Sequence, residues 1–414
     1  MRLSFRTVTL GLLLAIAASG CNCEGPNCAV VPAQIVDAGI QTEGSHVHIE
    51  FVQQMPESCE EQTQVSGVAP EISDESNHDV PAEGSFVQTR GQLAVPVTVD
   101  FDARDPGWYH AAVHVEPGIS TVQFPILVTR DRSDAGVITL NRPCGAPEVT
   151  SKGTVICDGQ PVHLGSSQSE FNADALTVVG DVVWTWTGNT VQRWEDQGAS
   201  LAQTPAASVT VDDGPGTLVA SDDGGEVFTL GQANVNRIAV RNGALATLST
   251  TPLGRAISYR FGIATADTLY AIQADQLTGT GSILTVCTYS LAGDIVTFTN
   301  ACQQIQGRAE GMGDGAFWTR DDASIRAWIP GDGKLRTAGT ALLPALQTFS
   351  PYVVVGDTPT PVAAVSPFLW LAPRLVDGRV IYDRYRTVSG FTFYSASPTA
   401  FAERADNTSR VYLR

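Results

Sequence analysis

The 414-residue sequence predicts an all-β protein of two folded units behind an export signal. Three observations predict it. No apolar pattern of helical period runs for three or four turns, while Gly, Thr, Val and Ser are abundant. Short alternating apolar runs are separated by polar turns along most of the chain. From about residue 144 onward, a pair of one apolar and one large aromatic residue returns roughly every 45 residues. The expected organisation is a signal peptide over 1–20, a tether over 21–29, a β-sandwich over 30–143 and a repeat domain over 144–414. Hydrophobic content of 43% with 16% charged residues suits chains that bury a core.

At the start, Arg2 and Arg6 precede the short apolar run Val8–Ala17, which is too short for the roughly 20 residues of a membrane span. Ala18-Ser19-Gly20-Cys21 follows. This segment resembles a bacterial lipobox, with Ala18 where the family prefers Leu. The resemblance implies cleavage before Cys21 and a lipid on its thiol, leaving that lipid as the membrane partner. Asn22, in place of an inner-membrane retention Asp, favours the outer membrane. The net charge of −18 disfavours nucleic acid and anionic lipid surfaces as partners.

Export also places the cysteines where disulfides persist. Cys287 and Cys302 flank a hairpin-like stretch, and Cys144 and Cys157 bracket a short connection, so each couple is expected to pair. Closing loops of this length contributes roughly 3 kcal/mol each. Cys23, Cys28 and Cys59 leave one thiol over. No C-x-x-C pair signals zinc.

In the first unit, His46–Val52 alternates with Val47, Ile49 and Phe51 on one face, and Gln92–Phe101 forms a further strand. Asp105-Pro106-Gly107-Trp108-Tyr109-His110-Ala111 then resembles the tyrosine corner of immunoglobulin-like sandwiches, with Ala111 where antibody domains carry cysteine. The resemblance implies a bond from the Tyr109 hydroxyl back to the chain at the corner. A last strand is expected at Thr121–Thr129. His46-x-His48 and His110-x3-His114 suggest a metal site, but alternation puts the two pairs on the outer faces of opposite sheets, so no metal is expected.

In the second unit the recurring pairs are Val183-Trp184, Val227-Phe228, Leu269-Tyr270, Phe317-Trp318, Leu369-Trp370 and Val411-Tyr412. Second apolar runs follow, most clearly at Val191–Trp194, Arg237–Val240 and Ile325–Trp328. Strand, tight turn and strand at this period read as blades of a β-propeller. Six blades are expected, seven being the alternative, with the last shared between the strand at Tyr412 and residues 149–164. Ser221-x-Asp223-x-Gly225-x-x-Phe228 resembles the Asp-box hairpin of sialidase-like propellers, a folding element away from their active sites. No nucleophile elbow, zinc helix or phosphate loop is present, and no cofactor is expected. Asp212-Asp213, Asp222-Asp223 and Asp321-Asp322 lack calcium-loop spacing and read as turn residues. The sequence therefore points to a lipid-tethered, non-catalytic binding or scaffolding module of the cell envelope. A propeller-type hydrolase of extracellular glycans is the alternative, and it requires paired acids at the channel.

Overall fold

A computed structural model describes residues 39–43, 46–54, 65–89, 92, 94–116, 121–132, 136–162, 171–198, 201–254, 259–273, 283–343, 363–366, 369–386, 393–405 and 407–414. Met1–Gly20, Cys21, Cys23, Cys28 and Cys59 lie outside the described residues. Within them, no helix is long and apolar enough to cross a membrane.

The first unit has two four-stranded antiparallel sheets. One runs β1 (Gly39–Glu43), β2 (His46–Gln54), β6 (Ala94–Asp102), β5 (Ala82–Phe86). The other runs β4 (Asp79–Val80), β3 (Gly67–Asp74), β7 (Gly107–Glu116), β8 (Thr121–Val128). Alternation decides what lies between them: Val47, Ile49 and Phe51 of β2 and Val95, Val97, Val99 and Phe101 of β6 meet Tyr109, Ala111, Val113 and Val115 of β7 in one core. The sheets approach closely at Gly84, where a Cβ would lie 2.6 Å from Val68 Cγ1 and 2.9 Å from its carbonyl oxygen. The Tyr109 hydroxyl donates to the Asp105 carbonyl at 2.8 Å, as the corner motif implies.

Two short strands leave the first unit for the second. These are β9 (Arg130–Asp131) and β10 (Val137–Leu140). Beyond them the chain forms successive antiparallel groups. A three-stranded sheet holds β11 (Pro147–Val149), β12 (Val155–Cys157) and β13 (Gln160–Val162). Next come β14 (Ala175–Val179), β15 (Val182–Thr187), β16 (Thr190–Asp196) and β17 (Leu201–Thr210), then β18 (Thr217–Ala220), β19 (Glu226–Leu230), β20 (Asn234–Arg241) and β21 (Ala244–Pro252). A single parallel pairing, Ala206 with Ala244, links these two groups. A fourth group has β22 (Phe261–Ala264), β23 (Thr268–Gln273), β24 (Ile283–Ala292) and β25 (Ile295–Gln306), and a fifth has β26 (Arg308–Gly313), β27 (Ala316–Arg320), β28 (Ser324–Gly331) and β29 (Lys334–Leu342).

The last two groups take their fourth strands from far upstream. β30 (Ala363–Ser366), β31 (Leu369–Val376) and β32 (Arg379–Arg386) are completed by β9, which pairs parallel to β32. β33 (Phe393–Ala396), β34 (Ala400–Ala405) and β35 (Thr408–Leu413) are completed by β10, with Ile138 opposite Val411.

Each group packs on the next. Trp184 and Trp186 meet Leu218 and Ile238, and Phe228 and Val235 meet Leu269 and Tyr289. Phe261 and Tyr270 meet Phe317 and Leu335, and Trp318 and Ile325 meet Leu371 and Tyr382. The Tyr385 ring meets Phe401 and Tyr412. Ala402 and Val411 meet Val149 and Val155, and Ile156 meets Val183 and Trp194. The last contact returns to the second group, so the series closes on itself in the manner of a β-propeller. Seven strand groups take part among the described residues, two of them joined in one eight-stranded sheet.

Two expectations are corrected. Residues 149–164 do not complete the last sheet: their described part builds the separate β11–β13 sheet, and β10 takes the place expected for it. The boundary expected at residue 143 also moves, because β9 and β10 precede it yet belong to the ring. Four residues of alternating pattern, Val137–Leu140, are too few to stand out beside the longer runs. Val183-Trp184, Val227-Phe228, Leu269-Tyr270 and Phe317-Trp318 all fall on the second strand of their sheets, as does 369–370, whose side chains lie outside the described residues. Val411-Tyr412 falls on a third strand, and Phe401 on β34 occupies the equivalent place.

Candidate functional site

Two cysteine pairs and several turn acids singled out in the sequence hold the fold together locally. Cys287 and Cys302 are cross-strand partners on β24 and β25 and form a disulfide. Cys144 pairs with Cys157. The backbone N–H of Cys144 also donates to Ser409 Oγ at 2.9 Å, tying this staple to β35. In the Asp-box-like hairpin, Asp223 accepts from Ser221 Oγ at 2.6 Å and from the Gly225 N–H at 2.9 Å, closing the β18–β19 turn. Asp213 accepts from the backbone N–H groups of Gln232, Ala233 and Asn234, and Asp321 from those of Ala323 and Ser324. Carboxylates spent on turn amides are placed for local order.

The histidines separate as alternation requires. His46 and His48 stand on the outer face of β2, and His110 and His114 on that of β7 in the opposite sheet. Asp100 Oδ1 lies 2.6 Å from His48 Nδ1 and 3.4 Å from His46 Nε2. Hydrogen bonds to Asp100 and then Glu50 hold the His48 imidazole above its ordinary pKa. Among the described residues no group of three or more His, Cys, Asp or Glu has a metal-holding arrangement.

Sequence reasoning missed the buried charges of the ring. Glu148, on β11, accepts from the Thr399 hydroxyl in the β33–β34 turn, and burial pushes its carboxyl up to about 7. Glu310 sits in the β-bulge of β26, where the register shifts between Ala309 and Gly311. Arg320 Nε lies 3.1 Å from it, yet burial still pushes its carboxyl up to about 8. The structure does not pair these acids: the charge acting on Glu148 is Arg414, whereas Arg320 and Arg308 act on Glu310.

The densest cluster joins β9 to the sheets around β31 and β35. Asp383 of β32 is fully buried and receives Arg130 through two bonds, Nε to Oδ1 at 2.7 Å and Nη2 to Oδ2 at 2.9 Å. Arg374 of β31 reaches Asp383 at 3.6 Å and holds Asp314, in the β26–β27 turn, at 2.6 Å. Arg132 stands 3.9 Å from Asp383. Just beyond β35, Arg414 donates through Nη1 to the Ser397 carbonyl at 3.0 Å. Nothing local in the sequence marks this cluster, because its members are brought together by closure of the ring.

No protein-family model matches the chain, and no curated protein does. Solved structures similar to it include the Cps50 (Swd1) beta-propeller domain of Myceliophteria thermophila, at 10% identity and a TM-score of 0.40 over 67% of this chain and 99% of that one. The RRP9 WD40 repeats match at 10% identity and 0.38 over 68% and 98%. A putative 6-phosphogluconolactonase from Bacteroides fragilis matches at 12% and 0.36 over 66% and 88%. The first two are propeller or WD40 structures by name. At this similarity none of them bears on activity.

Proposed function

We propose that this chain is a cell-envelope lipoprotein, tethered to the outer membrane through lipid on Cys21, in which an immunoglobulin-like sandwich and a seven-bladed propeller form one rigid, non-catalytic binding or scaffolding module. The observation that carries this reading is the joint between the units. β9 and β10 continue directly from the sandwich into two ring sheets, and Trp108 and Leu127 of the sandwich pack with Trp318 and Tyr382 of the ring. A joint of shared strands and shared core fixes the two units at a set angle, which suits presentation of a surface at a set distance from a membrane. The strand orders β1-β2-β6-β5 and β4-β3-β7-β8, together with the Tyr109 corner, support the immunoglobulin-like assignment. Seven successive strand groups, the last two completed by upstream strands, support the blade number.

A hydrolase acting on extracellular glycans is the second reading. The observation in its favour is that burial pushes the Glu148 and Glu310 carboxyls up to about 7 and about 8, the range of a general acid, although the two are not paired as that mechanism requires. Two experiments weigh them. Cys21→Ser is expected to move the full-length protein from the membrane to the soluble fraction of an expressing bacterium and to abolish incorporation of labelled fatty acid. Unchanged partition would remove the tether. Release of reducing sugar from cell-surface polysaccharides by the purified protein, lost in Glu310→Gln, would replace the binding reading with the enzymatic one.

A further inference from the structure

Five side chains form an unbroken row across the outer face of β2 and β6. Asp102 Oδ1 lies 3.1 Å from His46 Nδ1, and Asp100 Oδ1 lies 3.4 Å from His46 Nε2. The same Asp100 oxygen lies 2.6 Å from His48 Nδ1, and Glu50 Oε1 lies 3.2 Å from His48 Nε2. Each imidazole therefore stands between two carboxylates, with a ring nitrogen turned to each. Strand register makes the row, pairing His46 with Asp102 and His48 with Asp100. Alternation along β2 puts Glu50 on the same face. All five groups are open to water, the least exposed being His48 at 30%.

Only one protonation state satisfies that order. A carboxylate accepts and never donates, and a neutral imidazole donates through one nitrogen alone. In either tautomer, the second nitrogen of a neutral ring would face a carboxylate oxygen with no proton between them. An imidazolium donates from both nitrogens and closes both contacts. Beside the row the register places Gln41 and Glu43 of β1, Thr98 of β6, and Glu83 and Ser85 of β5. These positions add two acids and no Lys or Arg, so no other cationic residue at them stands in for a histidine. Hydrogen bonds to Asp100 and then Glu50 raise the His48 pKa above 6.5, so its charged form persists where a free histidine has lost its proton. The stabilisation this brings is full below 6.5 and is lost as pH rises through the raised value.

We propose that this row is a pH-operated latch between β2 and β6. With both imidazoles charged, the row is closed from Asp102 to Glu50, and two positive charges offset three negative ones. Loss of the two protons opens one contact at each ring and leaves three uncompensated carboxylates beside Glu43 and Glu83. The outer face of this sheet thus has two states, closed and largely compensated in mild acid, open and strongly anionic above neutrality. The latch is built from the first unit alone, so it stands or falls separately from the tether and the scaffolding reading.

Crystal structures of the full chain at pH 5.5 and pH 8.5 read the latch directly. His48 is expected to touch both Asp100 and Glu50 at pH 5.5, and only one of them at pH 8.5. Both contacts kept at pH 8.5, or an open row at pH 5.5, would overturn the proposal. Selective 13C labelling of histidine gives a second reading in solution. The His48 ring, assigned by loss of its signal in His48→Gln, is expected to titrate with a midpoint above 6.5. Asp100→Asn and Glu50→Gln are each expected to lower that midpoint by about half a pH unit or more. Asp294→Asn, which breaks an ion pair with Arg241 in the second unit, serves as the unaffected control. A His48 midpoint indifferent to both substitutions would show that the two carboxylates do not hold the charged ring, and the latch would fall. Should a variant fail to fold, the two wild-type structures decide alone.

Discussion

Glu148 shows how one side chain sets a pH dependence. Its carboxyl holds a proton to about 7 in the folded protein, against an ordinary value of 4.5. Between those values the folded chain binds more protons than the unfolded one, so its contribution to stability is full below about 4.5 and falls as pH rises through 7. The loss at pH 8 is on the order of 3 kcal/mol. Glu148→Gln keeps an acceptor for Thr399 without the charge. It is expected to melt with the wild type at pH 4 and above it at pH 8, in paired thermal scans; a constant difference at both pH values would place the effect elsewhere. At this scale the sequence was legible only where partners are near neighbours. Cys287 and Cys302 face each other across a hairpin, and Ser221 and Asp223 share a turn. Asp383 and Arg130 are separated by 253 positions, and no local spacing relates them.

Among the strands, the recurring aromatic was legible because each sheet buries its second strand on both faces. Trp184, Phe228, Tyr270 and Trp318 are all within 2% of complete burial. The misplaced copy at Tyr412 has a physical cause: Phe401 and Tyr412 sit opposite each other on β34 and β35 and are both buried, so pattern alone does not rank them. Phe401 also stacks against Tyr385 of the preceding sheet. Phe401→Ala is therefore expected to lower stability by about 3–5 kcal/mol, read by urea denaturation. A substitution in β10 tests the closure itself. Ile138→Pro removes a backbone donor opposite Val411 and is expected to lower the melting temperature of the ring as a whole. A melting temperature equal to wild type would show that β10 contributes nothing to the ring.

For the whole molecule, the all-β plan was legible from alternation and period, while the joint was not. β9 is two residues long and β10 four, lengths at which no sequence pattern distinguishes a strand from a linker. Because that joint shares strands and core, the sandwich and the ring are expected to unfold in one calorimetric transition. Trp108→Ala, which empties the shared core, is expected to split it into two. Two resolved transitions in the wild type would contradict the joint. The same strands also set a schedule for the chain as it is made. β10 leaves the ribosome early, with an edge that β35 covers in the folded chain, and the contact from Cys144 to Ser409 spans 265 residues. Contacts of such separation form slowly and late. Through most of synthesis the chain therefore carries an unpaired edge able to accept a strand from another molecule. The acidity that suits the finished surface gives the incomplete chain mutual repulsion during that interval, so charge and topology act together in keeping nascent copies apart.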